Sequence, residues 1–328
     1  MRRREFITLV GGAAAAWPLA ARAQQAAMPV VGFISGGSPD ASAGPAAAFR
    51  KGLSETGYVE GQNVVVEYHW LEGNFERLTA VLDDVIRRRV AVIAIPDSSP
   101  VSLAAKAATT SIPIVFGVAE NPVGLGLVTS LAQPGGNATG INFFSLEVVA
   151  KRLGLLHELL PKAVHIAVLL DPANAVSAEA TLQGVQEIAR AISLQIRVLN
   201  ATTSSEIDAA FAALASERAD ALFVAPNTYF TSRRVQFALL AARDRIPATY
   251  ANRELVEAGG LMSYGTDIMD SFHQVGIYTG KTLKGAKPTD LPVVQSTKFE
   301  FVSNLITAKA LGIDVPASLL SHADEAIE

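Results

Sequence analysis

Short apolar runs rich in β-branched residues alternate along this chain with stretches whose apolar residues recur every three or four positions. A continuous apolar run of four to six residues suits a strand buried on both faces, and the longer period suits a helix lying on such a sheet. Strands are predicted at 29–34, 63–68, 91–95, 112–116 and 139–143. Helices are predicted at 43–56, 75–89 and about 100–110; in the second, Leu78, Val81, Leu82, Val85 and Ile86 share one face.

The pattern then begins again. Strands are predicted at 165–170, 195–199, 221–224, 248–250 and 260–263, with helices at 178–192, 205–216 and 232–243 and a long one at 267–284 that stops at Gly285. Strand–helix alternation makes a parallel sheet covered on both faces, here twice in tandem. Similar breaks, Ser111-Ile112-Pro113 and Arg245-Ile246-Pro247, recur before equivalent strands. A single doubly wound domain is the competing arrangement. The clean restart after Pro161 and the punctuated stretch Gln133-Pro134-Gly135-Gly136-Asn137 favour two units.

Composition adds that half of the 328 residues are hydrophobic and only 18% charged, which excludes a disordered chain. The first residues form an export signal: basic Arg2, Arg3 and Arg4, a short apolar run at 7–20, and an Ala21-Arg22-Ala23 cleavage site. The Arg3-Arg4-Glu5-Phe6-Ile7 segment also suits twin-arginine export, with the general secretory route as the alternative. Removal of 1–23 would take four basic residues and one acidic residue, moving the formal charge from −4 to −7. A net-acidic chain without a basic stripe is not a nucleic-acid binder. Without cysteine there is neither a disulfide nor a lipid-anchoring site, so the expected location is free in a periplasm.

Two motifs in order, Asn121-Pro122-Val123-Gly124-Leu125-Gly126-Leu127-Val128 and Leu131-Ala132-Gln133-Pro134-Gly135-Gly136-Asn137-Ala138-Thr139-Gly140, carry a resemblance. The stretch from Gly52 to Asn63, the Ile112–Phe116 and Glu158–Pro161 segments, and the tail from Phe299 to Ile313 extend it over essentially the whole mature chain. The sequence resembles the ABC-transporter substrate-binding family that includes tryptophan/tyrosine-binding proteins. The resemblance implies an α/β, type I periplasmic binding protein fold, with two Rossmann-like lobes joined by three crossovers. It places the first lobe at 29–141 plus 266–292 and the second at 142–265 plus 293–328. It also implies a monomer that closes on a small-molecule solute and docks on an ABC permease in the inner membrane, without a cofactor.

In open α/β sheets ligands bind beyond the carboxyl ends of the strands. The loops there offer Ser35, Gly36, Ser98, Ser99, Asn121 and Asn142 from the first half, and Asn174, Asn227, Tyr229, Asn252, Arg253, Tyr264 and Asp267 from the second. Hydroxyls and amides fix a small polar solute by hydrogen bonds. Ser98 and Ser99 open a helix and serve either as ligand donors or as plain N-caps. Ser35 and Gly36 allow close approach of a ligand or make an ordinary turn. Arg253, the one basic residue in these loops, is either a carboxylate clamp or a surface arginine paired with Glu254. Asn252 stands where relatives that bind aromatic amino acids tend to be acidic, which removes a partner for an α-ammonium group and turns the expectation towards a carboxylate. Phe143, Tyr229, Tyr250 and Tyr264 are candidates for stacking on a planar solute.

Catalytic signatures are lacking. No G-x-G-x-x-G follows the first strand, no P-loop lysine follows Gly36, and neither G-x-S-x-G nor H-E-x-x-H occurs. The five histidines, His69, His157, His165, His273 and His322, have no metal-ligand spacing. The expected function is solute binding for an ABC importer, with an amino acid or carboxylate as solute. A secreted α/β hydrolase or a ligand-presenting sensory subunit is the alternative.

Overall fold

A computed structural model describes residues 28–143, 147–217 and 219–328. The export signal expected at 1–23 lies outside the described residues. The first half builds β1 (Val30–Ser35), α1 (Ala43–Glu55), β2 (Val65–Trp70), α2 (Leu78–Arg87), β3 (Val92–Ile95), α3 (Ser99–Ala108), β4 (Ile114–Val118) and β5 (Ala138–Asn142). The second builds α4 (Glu147–Leu159), β6 (His165–Leu170), α5 (Ala175–Ala191), β7 (Gln195–Asn200), α6 (Ser204–Glu217) and β8 (Ala221–Val224). It continues with α7 (Thr228–Ser232), α8 (Arg234–Asp244), β9 (Ala248–Tyr250), α9 (Arg253–Glu257) and β10 (Met262–Thr266). The chain closes with α10 (Ile268–Leu283), β11 (Val294–Gln295), β12 (Phe299–Asn304), α11 (Leu305–Leu311), α12 (Ala317–His322) and β13 (Glu325–Ile327).

The strands form two sheets, ordered β11-β5-β4-β3-β1-β2 and β13-β12-β10-β9-β8-β6-β7. Within each, the five strands of one half repeat a single doubly wound order. Every pairing is parallel except β10 with β12. The chain passes between lobes three times, after β5, after β10 and after β11. Val294 and Gln295 pair with Ile141 and Asn142 of the first sheet. The return to the second lobe therefore comes after Gln295, not at 293 as expected, because a two-residue strand carries no readable period.

Each sheet is covered on both faces, as buried parallel sheets must be. Val31 and Phe33 of β1 pack with Phe49 and Leu53 of α1 and Phe272 and Val275 of α10. Ile34 faces the opposite way, towards Leu82, Val85 and Val101 of α2 and α3. In β6, Ile166, Val168 and Leu170 face α4 and α5, while Ala167 and Leu169 face α6 and α8. Helix α10 follows the second lobe's β10 in sequence yet packs on α1 of the first. Glycines make that contact possible: a Cβ at Gly52 would lie 2.0 Å from the His273 carbonyl oxygen, and one at Gly276 2.1 Å from that of Phe49.

Several elements depart from the pattern reading. The helix expected at 232–243 is α8, and the short α7 before it has no expected counterpart; the Asn227 side chain accepts a hydrogen bond from Phe230 N and starts it. Helix α4 has no counterpart in the expected elements. Among the described residues, no helix is long and apolar enough to cross a membrane.

Candidate ligand site

The carboxyl ends of both sheets face each other across a cleft holding a cavity of about 100 Å³, room for several waters. From the first lobe it is lined by Asp97 after β3, Ser98 and Ser99 at the start of α3, Glu120 after β4, and Phe75, Phe143 and Phe272. From the second come Asn174 and Ser177 near the start of α5, Asn227 and Thr228 after β8, Thr231, and Asn252 and Glu254 after β9. The lobes touch beside the cavity. A Cβ at Gly36 would sit 2.7 Å from Thr228 Oγ1, and one at Gly73, where φ is +76°, would sit 2.6 Å from the Tyr229 ring.

Three carboxylates give the cavity its character, and no lysine, arginine or histidine lines it among the described residues. Asp97 accepts hydrogen bonds from Ser35 Oγ at 2.5 Å and Gly36 N at 3.2 Å. Burial nonetheless outweighs these bonds and pushes its pKa up to about 6. Glu120, 4% exposed, accepts a bond from the Ser99 hydroxyl. Glu254 differs from both, since its buried Oε2 has no hydrogen-bond partner. Burial, followed by the neighbouring Glu257 and Glu300 charges, pushes Glu254 up to about 7. In the same cavity lining, the buried Oδ1 of Asn174 also lacks a partner.

Of the residues singled out from sequence, Ser98, Ser99, Phe143, Asn174, Asn227 and Asn252 line this cavity. Ser35 and Gly36 stand behind it and hold Asp97. Ser98 caps α3 through a 3.4 Å bond from Val101 N. Asn252 donates to Thr231 Oγ1 at 3.1 Å.

The other seven are engaged elsewhere. Arg253 reaches the carboxylates of Glu257 at 2.8 Å, Glu300 at 3.0 Å and Glu325, tying α9 to β12 and β13. That fully used guanidinium does not line the cavity and is no clamp for a ligand carboxylate there. Asn121 is exposed and closes its own turn by accepting from Val123 N at 3.0 Å. Asn142 donates to the carbonyls of Val118 and Glu120. Tyr229 packs in the core against Phe230, its hydroxyl accepting from Arg233 Nε. Tyr250 is a core residue beside Phe237. Tyr264 stacks on Phe299, and Asp267 caps α10 by accepting from Asp270 N at 3.0 Å. Reasoning from residue type thus passed over the three acids, although Asp97 and Glu120 directly follow buried strands.

The motifs behind the resemblance are structural. Gly135, with φ of +66°, turns the chain before β5, and Asn137 Nδ2 donates to the carbonyls of Thr109 and Ile112. The family model described as ABC transporter substrate binding protein matches residues 28–327. The chain belongs to this family. Within it, the binding protein is 27% identical over 265 residues to a tyrosine-binding protein of Clostridioides difficile, covering 80% of this chain and 75% of the relative. A crystal structure of a conserved domain protein from Vibrio cholerae superposes with a TM-score of 0.84 at 26% identity, covering 91% of this chain and 99% of that one. A Streptococcus pneumoniae ABC domain in complex with L-Trp gives 0.83 at 23% identity, covering 92% and 100%. The binding protein has the type I periplasmic binding protein fold.

Proposed function

We propose that this protein captures a small solute bearing a protonated amine between its lobes and delivers it to an ABC permease, acting as a periplasmic monomer without chemical turnover. The observation that carries the reading is a cavity lined by Asp97, Glu120 and Glu254 and, among the described residues, by no basic side chain. Such a site favours a cation and disfavours a bare anion. Phe75, Phe143 and Phe272 add apolar walls suited to a planar body. The Ser98 and Thr228 hydroxyls can donate to a carboxylate on the same solute. Relatives named for tyrosine and seen with L-Trp fit this chemistry. The carboxylate-first expectation rested on Asn252 and on Arg253, and Arg253 is committed to Glu257, Glu300 and Glu325.

A thermal-shift panel on the ligand-stripped mature chain tests the reading. Aromatic and aliphatic amino acids and simple amines should raise Tm, with the compound recovered unchanged. Ligand at 100 times its Kd adds about 2.7 kcal/mol of stability. Shifts confined to sugars, or to acids without an amine, would refute it.

A further inference from the structure

Among the described residues, the buried polar atoms left without a partner on the cavity wall are two oxygens, Glu254 Oε2 and Asn174 Oδ1. A buried oxygen without a hydrogen-bond partner costs stability until a donor arrives, so such atoms mark where a ligand's N–H groups belong. The other two cavity carboxylates are already served, Asp97 by Ser35 and Gly36 and Glu120 by Ser99. Resting on the reading that this cavity holds the solute, we infer that Glu254 and Asn174 form the seat for its N–H-bearing cationic head. Glu254 thereby selects solutes by positive charge and couples their capture to loss of a proton.

The surroundings of Glu254 set the direction of that coupling. On its own helix stand Arg253, which favours the charged form, and Glu257, which opposes it. Glu300 on β12 opposes it too. The crevice next to the cavity, which Glu254 also lines, brings Asp40 and Asp267 from the first lobe and Arg234 from α8. Arg253 is shared among three carboxylates, so the balance falls on the protonated side. An arriving ammonium supplies the missing countercharge, Glu254 ionises, and its proton leaves to solvent. Affinity should therefore rise with pH from 5 to about 7.5 and then level off.

The test is calorimetric titration of the full mature chain with L-tyrosine, tyramine, lysine, and 3-(4-hydroxyphenyl)propionate, which lacks the amine. Titrations near pH 6.5 in two buffers of different ionisation enthalpy count protons released. The variants are Glu254→Gln, nearly isosteric, and Asn174→Ala, with folding checked by Tm. Expected is amine binding to the unaltered chain that weakens tenfold or more in Glu254→Gln and less in Asn174→Ala, with proton release lost only in the former. Amine binding that Glu254→Gln leaves unchanged, with release intact, overturns the seat but leaves solute binding standing. Binding of the amine-free acid alone, or of no compound at all, overturns the seat and the amine reading together.

Discussion

Glu254 is a site residue held at a cost to the unliganded fold. Its folded-state pKa is raised from 4.5 to about 7, so the fold favours the protonated acid. Stability from this group is full below pH 4.5 and is lost as pH rises through about 7, by about 3 kcal/mol at most. Asp97, raised to about 6, adds a loss of the same sign over a lower range. Glu254→Gln should leave Tm of the ligand-free protein unchanged at pH 5 and raise it at pH 8, as melts at both pH values would show. A lower Tm at pH 8 would mean that the carboxylate has a partner after all. Nothing in residue type marks Glu254 as a site residue, whereas its neighbour Arg253 draws the eye as a lone cation. What separates them is partner count, three carboxylates for one and an orphaned oxygen for the other, and that is a property of the folded chain.

Between elements, the same Arg253 is a rivet. It holds α9 to β12 and to the edge strand β13, with 28% of its side chain exposed. Arg253→Met should cost about 1 kcal/mol after allowance for solvent screening, read as a lower Tm. An unchanged Tm would mean that its three ion pairs add nothing to the fold. Helices α1 and α10 depend instead on glycine. Gly276→Ala gains about 1 kcal/mol of helix propensity but drives a Cβ against the Phe49 carbonyl, which no rotamer change relieves. A net loss of about 2 kcal/mol or more is expected in urea denaturation. The buried strands β1, β3, β6 and β8 and the long helix α10 were legible as period and length. Helix α4 was not: Val148, Val149, Leu153, Leu155, Leu156 and Leu159 are all buried, so its polar face is too narrow for a clean amphipathic signal. Strands β11 and β12 escaped because their pairing partners are distant in sequence.

At the scale of the whole molecule, two glycines lie where the lobes meet. Gly36 and Gly73 receive Thr228 and Tyr229 of α7. Gly36→Val should hold the lobes apart, costing about 1–3 kcal/mol in the closed state, or about five- to 150-fold in affinity. Small-angle scattering would then show a larger radius of gyration with ligand present than for the unaltered chain. Identical profiles would mean that closure does not pass through this contact. The two-lobed plan was readable from the restart of the strand–helix alternation, whereas the meeting of Gly36 with Thr228 joins residues almost two hundred positions apart. The threefold passage of the chain between lobes has a consequence during synthesis. Residues 28–142 leave the ribosome as a lobe without its last helix and edge strand, which arrive only with 268–295. At ordinary elongation rates the wait is on the order of ten seconds. Throughout it the α1 face and the β5 edge lie bare, so the nascent protein stays threadable, a benefit to a chain exported through a narrow channel and none to one exported folded.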